Sequence, residues 1–180
     1  MRKLILAAVL SCLLASPVWA MGLTPEETYA LKQEQGDQML FIDVRDPVEV
    51  MFIGSTDVVD ANIPFMQVDR YDWDEENNRF RMSVNPNFAA EVEALLEARG
   101  LDKTAQVITM CRSGSERGEP SARYLQEQGF SNAGFVINGF QGGSAKEGPQ
   151  SGMRVVNGWQ NSGLPWGSRM NAEKIYRSQR

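Results

Sequence analysis

Residues 106–117 read Gln-Val-Ile-Thr-Met-Cys-Arg-Ser-Gly-Ser-Glu-Arg. Gln106 to Met110 is a short, largely apolar run, as a buried strand requires. Cys111 follows at once, and small and charged residues lead from it to Arg117. The spacing then predicts a helix from Ser121 to Gln128, stopped by Gly129. A strand that runs through a small Gly-containing loop into a helix is a βα unit. In an open α/β sheet, ligands bind beyond the carboxyl ends of the strands.

Working outward, the same alternation continues. Met39 to Val44 (MLFIDV) is an apolar run that meets the turn at Asp46-Pro47. Ala133 to Ile137 reads as another strand, followed by Asn138-Gly139. Ala61-Asn62-Ile63 is a short strand candidate, and Val48 to Ile53 a short helix. Thr24-Pro25-Glu26-Glu27 is a helix start, and that helix runs to about Gln35 with Gly36 as its stop. Phe88, Val92, Leu95 and Leu96 have helical spacing within Pro86 to Arg99, capped by Asn85 and ended by Gly100. The predicted fold class is therefore α/β, a central parallel sheet with helices on both faces. Asp69 to Arg81 is charged and aromatic and predicts a surface loop or hairpin. Its acidic run, Asp72 to Glu76, lacks the spacing of a calcium loop and reads as solvated.

The sequence of 180 residues allows one domain at roughly 150 residues per domain. A net charge of −5 argues against nucleic acid as a partner. The chain has no His, which removes Ser-His-Asp and Cys-His catalysis and His-based metal sites. Its two Cys, Cys12 and Cys111, exclude a four-cysteine zinc site, and no metal or organic cofactor is expected. Arg2 and Lys3 precede an apolar run from Leu4 to Leu14, and small residues surround Ala20. This is the pattern of a cleaved secretory signal peptide, too short to span a bilayer. The expected organisation is a signal peptide at 1–20, a domain at 21–168 and a polar tail at 169–180 that frays. Cleavage after Ala20 would deliver the protein to the periplasm with Cys111 as its one thiol. A lipid-modified Cys12 is the alternative.

A lone thiol in an oxidising compartment is either buried and inert or kept for its reactivity. Around Cys111 the sequence favours the second. Arg112 and Arg117 add positive charge. Ser113, Gly114 and Ser115 let the backbone curl so that N–H groups point inward, and the next helix adds its positive end. All of these favour a thiolate. The loop 112–117, including Glu116, is thus the candidate binding site for an anion, with Cys111 as the nucleophile.

At these residues the chain resembles the rhodanese family of sulfurtransferases. Phe41-Ile42-Asp43-Val44-Arg45 looks like the family's first-strand motif, with Glu49 at its usual acidic position. Ile63-Pro64 resembles the end of the second motif, and Cys111-Arg112-Ser113-Gly114 the opening of the active-site loop. Ala122, Leu125, Gly129 and Phe130 fall as in the helix and turn that follow. Gly139-Phe140, Gly158-Trp159 and Gly163-Leu164-Pro165 resemble the closing motif. The likeness covers about Thr24 to Pro165 and implies a rhodanese-like fold. There are departures. No Gly-His precedes Ile63-Pro64, and residues 65–85 are longer than usual. The closing motif is split by a Gly-rich insertion at about Gly142 to Asn157, which reads equally as a lid or a plain surface loop. The loop is Cys-x5-Arg, one residue longer than in ordinary members and similar to rhodanese-fold dual-specificity phosphatases and arsenate reductases.

The resemblance implies sulfur transfer through a Cys111 persulfide. The donor is a small sulfur anion such as thiosulfate, or a persulfide. The acceptor is a thiol or cyanide, with a periplasmic protein thiol as a further partner. Phosphatase or arsenate-reductase chemistry, with Arg117 gripping two oxygens and Glu116 as an acid, is the alternative. A non-catalytic anion- or protein-binding module is a third reading. Arg45 and Glu49 are expected to pair and frame the domain, with Asp43 capping a turn.

Overall fold

The computed structural model describes residues 20–177. The expected signal peptide, with Cys12, lies outside the described residues up to Trp19.

The chain opens with β1 (Met21–Leu23) and α1 (Pro25–Gln35). Thr24 starts α1 as predicted: its hydroxyl accepts from the Glu27 N–H at 3.1 Å, and the Glu27 carboxylate accepts from the Thr24 N–H at 2.8 Å. Next come β2 (Met39–Asp43), α2 (Pro47–Ile53) and β3 (Ala61–Asn62). A hairpin follows, β4 (Met66–Asp74) and β5 (Arg79–Val84), paired antiparallel apart from the main sheet. It lies where the sequence allowed either a loop or a hairpin. Then α3 (Phe88–Glu97), β6 (Gln106–Met110), α4 (Gly118–Glu127) and β7 (Asn132–Val136) complete the regular elements.

The main sheet has the order β1-β7-β6-β2-β3, and every pairing is parallel. Side chains alternate across it, because successive residues of a strand point to opposite faces. From β2, Leu40 and Ile42 join Phe88, Val92 and Leu96 of α3 and Leu125 of α4 on one face. Met39 and Phe41 join Ile108, Met110, Val136 and Trp159 on the other, beside Tyr29 and Leu31 of α1 and Ile53 of α2. Helices therefore cover both faces, and the predicted α/β class is the observed one.

Some details differ from expectation; α3, for one, starts at Phe88 with Asn87 and not Asn85 at its N-cap. Strand β1 carries no pattern that marks a strand; it forms by adding to β7 at the sheet edge. Helix α4 begins at Gly118 rather than Ser121, since Pro120 falls in its first turn, where a missing N–H costs nothing. The tail does not fray between 169 and 177. The Asn62 N–H donates to the Lys174 carbonyl at 2.7 Å, and the Lys174 ammonium reaches the carbonyls of Asp57 and Val59 at 2.6 and 2.9 Å.

Candidate active site

The loops after β2, β6 and β7 meet at one edge of the sheet. Strand β6 is central, so Cys111 emerges with β2 and β7 on either side. The buried Thr109 hydroxyl lies 3.0 Å from the Gly118 carbonyl, and the Ser121 hydroxyl lies 2.8 Å from it. These contacts hold the first turn of α4 against the end of β6. A Cβ at Gly118 would stand 3.4 Å from the Cys111 sulfur, so the sulfur lies against the positive end of the helix.

The loop turns back over the sulfur. The Gly114 N–H points at Cys111 Sγ at 3.2 Å. Gly114 has φ of +87°, and a Cβ there would come within 2.7 Å of the Asn138 nitrogen. Only glycine meets both demands. The thiol is buried, 1% exposed. The segment after β7 forms the adjoining wall: the Phe140 N–H donates to the Cys111 carbonyl at 2.7 Å, and the Gln141 N–H to the Arg112 carbonyl at 2.9 Å.

The arginines of the loop differ in placement. Arg117 is buried, and its Nη1 and Nη2 both meet the Glu49 carboxylate, the latter at 2.9 Å. Its fork faces α2 rather than an anion above the sulfur, and its buried Nε has no hydrogen-bond partner among the described residues. Burial opposes charge on Arg117, but Glu49 outweighs it, with Cys111 and Asp43 adding, and the guanidinium is held above its ordinary range. For Glu49, burial pushes the carboxyl up, but the hydrogen bonds and charge of Arg117 and the charge of Arg45 hold it below its usual value. Arg112 reaches outward, its Nε donating to Gln141 Oε1 at 2.9 Å. The Ser113 and Ser115 hydroxyls lie 3.2 Å apart. Glu116 points to solvent, 4.0 Å from Arg79 of the hairpin.

The expected Arg45–Glu49 pair does not form. Arg45 binds Asp43 instead, through Nε at 2.9 Å and Nη2 at 2.5 Å, and donates to the Gly54 carbonyl at 2.9 Å. The expected turn at Asp43 is present, since its carboxylate also accepts the Arg45 N–H at 3.1 Å. Glu49 is set by a local signal that the sequence reading overlooked, Asp46-Pro47-Val48-Glu49. Asp46 caps α2 by accepting from the Val48 N–H at 2.9 Å, and Glu49 Oε2 accepts from the Asp46 N–H at 3.3 Å. The capping box thus aims the carboxylate that Arg117 takes. Among the described residues, no group of three or more His, Cys, Asp or Glu is arranged to hold a metal.

The insertion closes on itself. The Gly143 N–H donates to Asn157 Oδ1 at 2.8 Å, and Ala145 and Met153 pair through the Ala145 N–H at 2.9 Å. After it, the Trp159 N–H donates to the Gly139 carbonyl at 2.9 Å and the indole enters the core, 5.2 Å from the Phe41 ring. The halves of the split motif, Gly139-Phe140 and Gly158-Trp159, are therefore side by side.

The rhodanese-like domain profile matches residues 24–146, more than half of the chain, and the protein belongs to that family. The fold is similar to the crystal structure of Rv0390 from M. tuberculosis, with 25% identity and a TM-score of 0.62 over 84% of this chain and 100% of that one. A rhodanese-related protein from Thermoplasma volcanium matches with 17% identity and a TM-score of 0.43, over 84% and 100% of the two chains. The 30 kDa polysulfide-sulfur transferase homodimer from Wolinella succinogenes matches with 24% identity and a TM-score of 0.43, over 86% and 82%. Comparison with curated protein sequences returns no significant match.

Proposed function

We propose that the protein is a periplasmic sulfurtransferase that carries sulfane sulfur on Cys111. The observation that supports this most is the Cys111 sulfur itself, which receives the Gly114 N–H at 3.2 Å against the first turn of α4. The Cys111 thiolate attacks the outer sulfur of thiosulfate. The new S–S bond forms as the old one breaks, and sulfite leaves with the electron pair. The Cys111 persulfide keeps one negative charge, which the Gly114 N–H and the helix end stabilise. Cyanide or a thiolate then takes the outer sulfur, giving thiocyanate or a new persulfide, and the Cys111 thiolate returns. This is covalent two-step transfer.

The phosphatase and arsenate-reductase reading asks Arg117 to grip two substrate oxygens. Its fork is engaged by Glu49, and Glu116 faces away. Export follows from residues 1–20 as read in the sequence. Because Met21 opens β1, a cut after Ala20 leaves the sheet intact.

Intact mass of the mature protein tests the reading. Thiosulfate is expected to add one sulfur atom, lost on adding cyanide and absent in Cys111→Ser. A phosphoryl adduct from an aryl phosphate would establish the other chemistry, and no adduct from either reagent would leave a binding module.

A further inference from the structure

The insertion brings a second guanidinium beside the loop after β6. Gln141 and Gly142, where the insertion departs, both donate their N–H to the Arg112 carbonyl, at 2.9 and 3.2 Å. The Arg112 side chain is anchored on Gln141 through Nε. The Arg154 side chain is anchored on the next residue, with Nη1 donating to the Gly142 carbonyl. The backbone of Arg154 is held as well. The Asn161 amide lies 3.3 Å from the Arg154 carbonyl, 2.8 Å from that of Asn157 and 3.2 Å from that of Gln141. Two cations are thus fixed on neighbouring residues of one rim.

Among the described residues, neither Arg112 nor Arg154 makes an ion pair, and neither uses its remaining guanidinium N–H groups in an internal hydrogen bond. Burial, and then the charge of Arg154, hold the Arg112 guanidinium below its ordinary range, with the carboxylates of Glu49 and Glu116 opposing. Arg117 offers no alternative, because Glu49 occupies its fork. An anion seated between two guanidinium groups relieves their mutual repulsion.

Resting on the sulfur-transfer reading, we infer that Arg112 and Arg154 form the donor-recognition pair, binding the oxyanion group beside the sulfane sulfur. For thiosulfate this is the sulfonate head, and the same pair holds the departing sulfite. Arg154 is then a specificity-determining residue supplied by the insertion, which acts as part of the binding wall. Planar N–H pairs suit such an oxyanion better than an ammonium does.

Thiosulfate turnover in the full mature chain tests this, with Arg154→Gln, Arg154→Lys and Arg112→Gln. Replacing Arg154 with Gln is expected to raise the KM for thiosulfate about tenfold, the loss of a charge-assisted contact. The kcat changes little, and sulfur loading at saturating thiosulfate persists. Lys at 154 recovers part of the loss. Calorimetry of sulfite and thiosulfate binding to Cys111→Ser, with and without Arg154→Gln, gives a readout free of turnover, and the second variant is expected to bind at least severalfold more weakly. Unchanged KM and unchanged binding overturn the inference. An equal loss with Lys and Gln, accompanied by altered near-UV circular dichroism, also overturns it by assigning Arg154 a structural role. If thiosulfate fails to load the wild-type protein at all, the sulfur-transfer reading fails instead. Calorimetric binding through Arg154 would still stand as an anion site.

Discussion

Arg45 and Arg117 are both buried, both meet a carboxylate through two nitrogens, and both leave one nitrogen without a partner among the described residues. Their partners separate them. Asp43 lies two residues from Arg45 in the same turn, whereas Glu49 lies 68 residues from Arg117. The Arg45 guanidinium also lies over the Phe140 ring, 4.2 Å from its centre, and donates to Gly54. It serves as a packed core element that happens to be charged. Arg117 ties the active-site loop to α2 and so sets where the loop lies. A local pair stiffens one turn, and a distant pair fixes two loops relative to each other.

The largest effect is expected from breaking the local pair. Arg45→Ala leaves the Asp43 carboxylate buried and unpaired, exposes the Gly54 carbonyl and empties the space beside Phe140. It should cost about 3–5 kcal/mol in urea unfolding, enough to threaten the fold. A loss under about 1 kcal/mol would mean that the pair is not a core element.

Glu49→Gln should cost less, about 1–3 kcal/mol, since Gln still offers one oxygen to Arg117. Its signature is in the pH dependence. The folded chain holds Glu49 below its ordinary value, so on acidification the unfolded chain takes the proton first. The stabilisation is complete above the ordinary carboxylate range and is lost as pH falls through it to the lower folded value. Unfolding from pH 7 down to pH 3 should therefore show a shallower acid loss in Glu49→Gln than in the wild type; identical slopes would refute the assignment.

Arg117→Lys keeps the charge but loses the fork. With Arg117 spent on Glu49, the variant should lose about 1 kcal/mol of stability and reduce kcat, through a displaced Gly114 N–H, more than it raises KM. A rise confined to KM would return Arg117 to the donor site. The smallest effect belongs to Arg79→Gln. Its contact with Glu116 is exposed and 4.0 Å long, and its removal should change stability by no more than about 0.5 kcal/mol.

Much of this was legible in the sequence because its causes are local. The Met39–Val44 run, the Thr24 cap and the helical spacing of Phe88, Val92 and Leu96 act within a few residues, and each element appeared near its expected place. Cys111 at the end of a central strand, with a glycine-bearing loop after it, was equally readable. The two arginine pairings were not. Asp43 is within local reach of Arg45, but Arg117 takes Glu49 because the loops after β6 and β2 meet at the sheet edge, which follows from the strand order β7-β6-β2. No local pattern encodes that order. The same holds for Arg154, carried in a Gly-rich stretch with no periodicity. Its place beside Arg112 arises only because the segment after β7 bonds to the loop after β6 and the insertion closes at Asn157. The sequence alone determined most of the elements, the candidate nucleophile and its loop, through short-range propensity and patterning. Only the tertiary structure decided which charges face one another, because an ion pair forms where folding brings two groups together and not where the chain places them.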